Sequence, residues 1–141
     1  MDTIIESLKE FFENSDLIDK KINVDFLPEE LLEYSIMPIP TKPIIKSYLD
    51  GSCKKQYDFI FCSREYYGDD VKQLLSNIEF YENLAKWIES KSRNGELPKL
   101  PKGCEPLKLK IVNSGYLYDD EKDNAQYHIE CKLIYMERKE N

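Results

Sequence analysis

The sequence predicts an α+β domain: a mostly antiparallel sheet packed against an N-terminal helix and one long central helix. Three observations carry this. The run Tyr57-Asp58-Phe59-Ile60-Phe61-Cys62 is apolar on both faces, the pattern of a strand covered on both sides. Beyond it, Val71, Leu74, Leu75, Ile78, Tyr81, Leu84, Ala85 and Ile88 recur at helical spacing, with Phe80 and Trp87 widening the stripe. Near the C-terminus Tyr127, Ile129, Cys131, Leu133 and Tyr135 alternate with His128, Glu130 and Lys132, the period of a strand with one face inward. Strands and helices do not alternate regularly, so a parallel βαβ architecture is not expected.

In chain order, Asp2 or Thr3 caps a first helix whose stripe is Ile4, Ile5, Leu8, Phe11 and Phe12, ending near Asn14-Ser15. Ile22, Val24 and Phe26 alternate in a short strand stopped at Pro28, and Glu29 to Glu33 reads as a helical turn. Prolines 38, 40 and 43 then punctuate Tyr34 to Pro43. Proline lacks the N–H a central ladder needs, so this stretch reads as an extended edge or a crossing arm. Ile44 to Leu49 is a strand, and Asp50-Gly51 turns it into the next as a hairpin. Asp69 and Asp70 suit the N-terminus of the long helix, and Arg93-Asn94-Gly95 its C-terminus. Leu97 to Gly103 is a proline-rich connector expected on the surface. Leu107, Leu109 and Ile111 form a strand running towards Tyr116 and Tyr118, Asp119 to Asn124 a charged loop, and Met136 to Asn141 a frayed tail.

At 141 residues and 16.7 kDa, one domain spanning 1–141 is expected, large enough for a core without disulfides or metals. The net charge of −7 argues against a nucleic-acid-binding surface. Cysteines 53, 62, 104 and 131 form no CxxC pair, and one histidine is too few for a zinc framework. Four free thiols in a reducing cytoplasm are expected, with Cys62 and Cys131 as small buried hydrophobes. The first residues lack the basic and apolar regions of a signal peptide, and no apolar run is long enough for a membrane span.

Enzyme chemistry is not legible. His128 lies on the polar side of its strand, opposite in face to Cys131, so those two cannot form a dyad. Acetyltransfer of the chloramphenicol-resistance type needs a histidine followed closely by Asp-Gly, and Ile-Glu-Cys-Lys follows His128 instead. The five glycines form no phosphate loop, and Asp69-Asp70 and Asp119-Asp120 read as a helix start and a solvated turn. No catalytic, cofactor or metal residue is expected. Tyr66-Tyr67 and Tyr116/Tyr118 read as core-edge residues or as interface anchors.

Four stretches together resemble a known family: Tyr34-Ser35-Ile36-Met37-Pro38-Ile39-Pro40-Thr41-Lys42-Pro43 with Tyr48-Leu49-Asp50-Gly51; Phe59 to Asp70, including Ser63-Arg64-Glu65-Tyr66-Tyr67-Gly68; Ser114 to Tyr118; and Tyr127 to Tyr135. They resemble the small proteins labelled minor capsid protein in phages of low-GC Gram-positive hosts. These are taken as tail terminators, or tail completion proteins, of long-tailed phages and phage-tail-like bacteriocins. The resemblance implies a structural virion protein forming a six-membered ring that caps the tail tube, stops its polymerisation and offers the head-joining surface. Implied partners are further copies of the chain, the major tail tube protein, a neck or head-completion protein and a sheath protein, with DNA passing through the pore unbound. Another neck or head-completion connector, or a monomeric acidic inhibitor of the immunity-protein type, stays open as an alternative.

A ring subunit needs a heterologous contact, so segments the core does not explain are the interface candidates. These are Ile36, Met37 and Ile39 in the proline-rich arm, Asp50 and Gly51 in the hairpin, and Asp119 and Asp120 in the charged loop.

Overall fold

The computed structural model describes residues 3–24, 33–66, 71–120 and 124–138. The element order is α1 (Ile4–Glu13), β1 (Ile22–Val24), β2 (Tyr34–Ile39), β3 (Ile44–Ser47), β4 (Cys53–Tyr66), α2 (Val71–Arg93), β5 (Cys104–Asp120) and β6 (Asn124–Glu137). The expected helical turn at Glu29 to Glu33 falls largely, and the helix start at Asp69-Asp70 wholly, outside the described residues, as do the tip of the charged loop and the last three residues.

The six strands form one mixed sheet in the order β1-β2-β4-β6-β5, with β3 pairing β4 beside β2. Every pairing is antiparallel except β1 with β2, which is parallel. β4 is the spine: it pairs with β6 along its whole length, from Cys53↔Glu137 to Tyr66↔Asn124. Its other edge is shared between β3, opposite Cys53–Lys55, and β2, opposite Asp58–Ser63. Met136 and Glu137, expected in the frayed tail, are thus strand residues held against Lys54 and Cys53.

One sheet face carries the core. Phe59 and Phe61 of β4 point into it, and so do Tyr127, Ile129, Cys131, Leu133 and Tyr135 of β6, all buried as their alternation requires. Both helices lie on this face. Thr3 caps α1, its hydroxyl oxygen accepting the Glu6 N–H, and Phe12 lies against Phe61 at 5.2 Å and Phe59 at 6.0 Å between ring centroids. α2 seats Tyr81 over Tyr127 at 5.6 Å. The Tyr81 hydroxyl donates to the Tyr127 carbonyl at 3.1 Å and bonds the Ser63 hydroxyl at 2.6 Å, so the buried phenol is satisfied. Trp87 packs against the edge of the core between the helices, its ring 5.0 Å from Phe11 and 5.8 Å from Phe12.

The phase of α2 departs from the apolar stripe in the sequence. Asn77, Tyr81, Leu84, Ala85 and Ile88 are buried, whereas Leu75 and Ile78 are 60% and 46% exposed. Anchoring Tyr81 on Ser63 and Tyr127 rotates the early apolar pair outward. The helix ends in a Schellman motif. Gly95 adopts φ 75°, its N–H donates to the Ser92 carbonyl, and the Glu96 N–H donates to the Lys91 carbonyl at 2.9 Å. The connector after it runs over the surface, with Lys99 and Lys102 exposed, and is pinned by Pro98, which is buried beside α1.

The proline-rich arm is also more internal than expected. Tyr34, Ser35 and Ile36 sit between β1 and β4 and are buried; only from Met37 onward, past the end of β1, does β2 become an edge. Pro38 stands there, pairing Phe59 on one side with no ladder to supply on the other, which is where the missing N–H costs nothing. No described helix is long and apolar enough to cross a membrane.

Candidate functional site

Ile44 to Leu49 is apolar at four of its six positions and follows prolines 40 and 43, so neither covering face nor ladder partner is set by its own pattern. It folds as the outer arm of the β3–β4 hairpin. At the tip, Gly51 takes φ 92°, a conformation that L side chains rarely adopt, and its N–H donates to the Tyr48 carbonyl at 3.1 Å. The Tyr48 N–H donates to the Ser52 carbonyl, closing the turn at 2.9 Å. The Asp50 carboxylate accepts from the Ser52 N–H at 2.9 Å and the Ser52 hydroxyl at 2.6 Å, and these bonds hold its pKa below the usual carboxylate value. The base of β3 is tied down from β4: the Gln56 N–H donates to the Pro43 carbonyl and its side-chain amide to the Lys42 carbonyl, both at 2.8 Å.

A well-ordered scaffold thus holds out side chains that the fold does not cover. Residues 42–51 are all exposed. Ile44 and Ile45, where the β3–β4 register shifts, are 44% and 45% exposed, Tyr48 is also exposed, and Leu49 at the tip is fully exposed. Lys46 lies over the Tyr48 ring at 5.4 Å, fixing both on one side. Scattered surface leucines are ordinary; here four large exposed apolar side chains gather on one hydrogen-bonded hairpin.

Of the residues expected at an interface, Asp50 and Gly51 form the tip of this hairpin. Ile36 does not belong to it: it is fully buried in the core opposite Phe61. Met37 and Ile39 are half-buried on the face away from the helices, opposite Ile60 and Asp58. Asp119 and Asp120 stand opposite Gln126 and Ala125, where β4 reaches Tyr66, at the far end of the sheet from the hairpin. The residues missed from sequence are Ile44, Ile45, Tyr48 and Leu49. Their signal was an apolar run bracketed by Pro43 and Asp50, with too few residues between turns to gain a helix of its own.

The sheet face away from the two described helices holds a second grouping. Ser35, Cys62 and His128 stand side by side across β2, β4 and β6, all buried. A cysteine beside a histidine suggests a nucleophile and base, and the sequence alone weighs His128 only against Cys131, which its opposite strand face rules out. Burial opposes that chemistry, pushing the Cys62 thiol up to about 12 and the His128 imidazole down to about 4, so both are held neutral. The Cys62 thiol instead lies 3.7 Å from the Ser35 carbonyl, as a weak donor in a packed row. Among the described residues no three metal-ligating side chains cluster. No protein-family model and no curated protein sequence matches the chain.

Proposed function

We propose that the chain is a structural assembly subunit, a tail terminator that joins copies of itself into a ring capping a phage tail tube. One observation carries the assembly half of this reading: the hydrogen-bonded β3–β4 hairpin presents Ile44, Ile45, Tyr48 and Leu49 to solvent, outside the core of the described residues. Covering those side chains against a partner contributes on the order of 5 kcal/mol towards association. The tail half rests on the resemblance of residues 34–51, 59–70, 114–118 and 127–135 to tail completion proteins. The net charge of −7 suits a ring through which DNA must pass without being gripped.

The test adds the purified chain to polymerising tail tubes from a phage of a low-GC Gram-positive host and measures tube length by electron microscopy. Short tubes with a ring at one end are expected. Tubes that grow equally long with and without the chain, at every ratio tried, sink the proposal.

A further inference from the structure

We infer that the hairpin of one copy seats in the groove between α2 and β5 of the next copy. This rests on the reading of the chain as a self-assembling ring subunit and names the contact that would build the ring. The groove is an open cavity of about 560 Å³, lined by Arg93 from the end of α2 and by Leu107, Lys108, Lys110 and Ile111 of β5. Leu107 is 43% exposed at its rim.

Three features match groove to hairpin. The first is apolar content: Leu49 and Tyr48 need cover, and Leu107 and Ile111 line a concavity of the size that takes a few side chains. The second is charge. Asp50 stays ionised at the hairpin tip, and Arg93, on the α2 wall of the groove, has no ion-pair partner among the described residues; Lys108 and Lys110, opposite Ile134 and Lys132, turn to the other sheet face. Glu89, at the same groove, is placed to meet Lys46. The third is topology. β3 lies on one side of β4 and β5 beyond β6 on the other, three strand spacings away, about 14 Å. A chain therefore cannot fill its own groove. Because hairpin and groove are different patches, the contact is head to tail, the type that closes into rings. Both lie at the same end of the sheet, where Cys53, Glu137 and Cys104 stand in one row, so neighbouring copies meet side by side without tilting end over end.

The test uses full chains with Cys53→Ser and Cys104→Ser, leaving only the buried Cys62 and Cys131 as native thiols. One chain carries Leu49→Cys and another Leu107→Cys; they are mixed at rising concentration under mild oxidation, alone and with tail tubes. The expected product is the mixed disulfide in clear excess over either self-linked dimer. Predominant Leu49→Cys self-linkage, or no linkage in either setting, overturns the inference. A charge exchange gives an independent reading without new thiols. Asp50→Lys should weaken self-association at least about tenfold, and a partner with Arg93→Asp should restore it. Weakening without restoration counts against the pairing. Chains that cap tubes without this linkage refute the contact and leave the capping reading standing. Chains that link as expected but never alter tube growth support the contact and remove the tail.

Discussion

Glu65 and His128 set up opposing pH dependences that a pair of single substitutions should separate. The Glu65 carboxyl is 7% exposed, with one oxygen buried and without a hydrogen-bond partner among the described residues. Burial, then the charge of Asp19, raises its pKa from 4.5 to about 7. Between those values the folded chain keeps a proton that the unfolded chain releases, so stability falls as pH rises, and the full penalty is present above neutrality. At about 1.4 kcal/mol per pH unit the penalty comes to about 3 kcal/mol. His128, 3% exposed, is displaced the other way, from 6.5 to about 4, by burial. The unfolded chain takes up a proton as pH drops below 6.5 and the folded chain resists until about 4, so stability falls as pH falls, by a similar amount. Over the shared window, about 4.5 to 6.5, the two slopes cancel and the contribution of this pair is flat. Glu65→Gln should uncover the histidine: stability rises from pH 4 to 6.5 and exceeds the parent by about 2–3 kcal/mol near pH 8. His128→Gln should uncover the carboxylate, with stability falling from pH 4.5 to 7. Urea unfolding midpoints measured at half-unit pH steps decide it. If Glu65→Gln follows the parent profile and gains nothing near pH 8, the buried carboxyl is already compensated and the reasoning fails.

Tyr81→Phe removes the hydroxyl joining Ser63 to the Tyr127 carbonyl and should cost about 1–3 kcal/mol in urea unfolding, since it strands a buried carbonyl; an unchanged midpoint contradicts this. Trp87→Ala should cost about 2–3 kcal/mol, below the range for a fully buried tryptophan, because one side of the ring faces solvent between the helices. Ile36→Ser should destabilise the isolated chain by about 3 kcal/mol while Leu49→Ser shifts it by less than about 0.5, which separates core from hairpin in one pair of melts. A thiol reagent should label Cys53 and Cys104 in the folded chain and all four cysteines only after denaturation.

Local signals in the sequence identified most elements. Gly95 and Gly51 marked the helix end and the hairpin, and the alternation from Tyr127 to Tyr135 gave the inward face residue by residue. Signals that depend on neighbours in space were misread. Prolines 38, 40 and 43 suggested an edge for the whole arm. Pairing with β1 stops at Ile36, however, so the first half is interior and only the second obeys the rule. The stripe of α2 was off in phase at Leu75 and Ile78 because a tertiary hydrogen bond at Tyr81, invisible to periodicity, decides which side faces the sheet. The interface candidates divided along the same line. Turn chemistry placed Asp50 and Gly51 at a hairpin tip, whereas Ile36 was mistaken for surface because nothing local records that β1 and β4 close over it.

The long register between β4 and β6 also bears on how the chain comes together. Residue 53 lies opposite residue 137, and residue 66 opposite residue 124, so the central ladder joins segments separated by the whole of α2 and β5. The β3–β4 and β5–β6 hairpins can close within microseconds, but joining them carries the entropy of a large loop, which places folding in the slow, non-local regime of milliseconds to seconds. During synthesis β4 emerges well before β6, leaving Phe59 and Phe61 without their inner neighbours Cys131 and Ile129. A half-made chain therefore shows a sticky strand edge beside a finished apolar hairpin. Premature contact between nascent copies is the hazard this topology carries, and slower elongation after β4 should lengthen it.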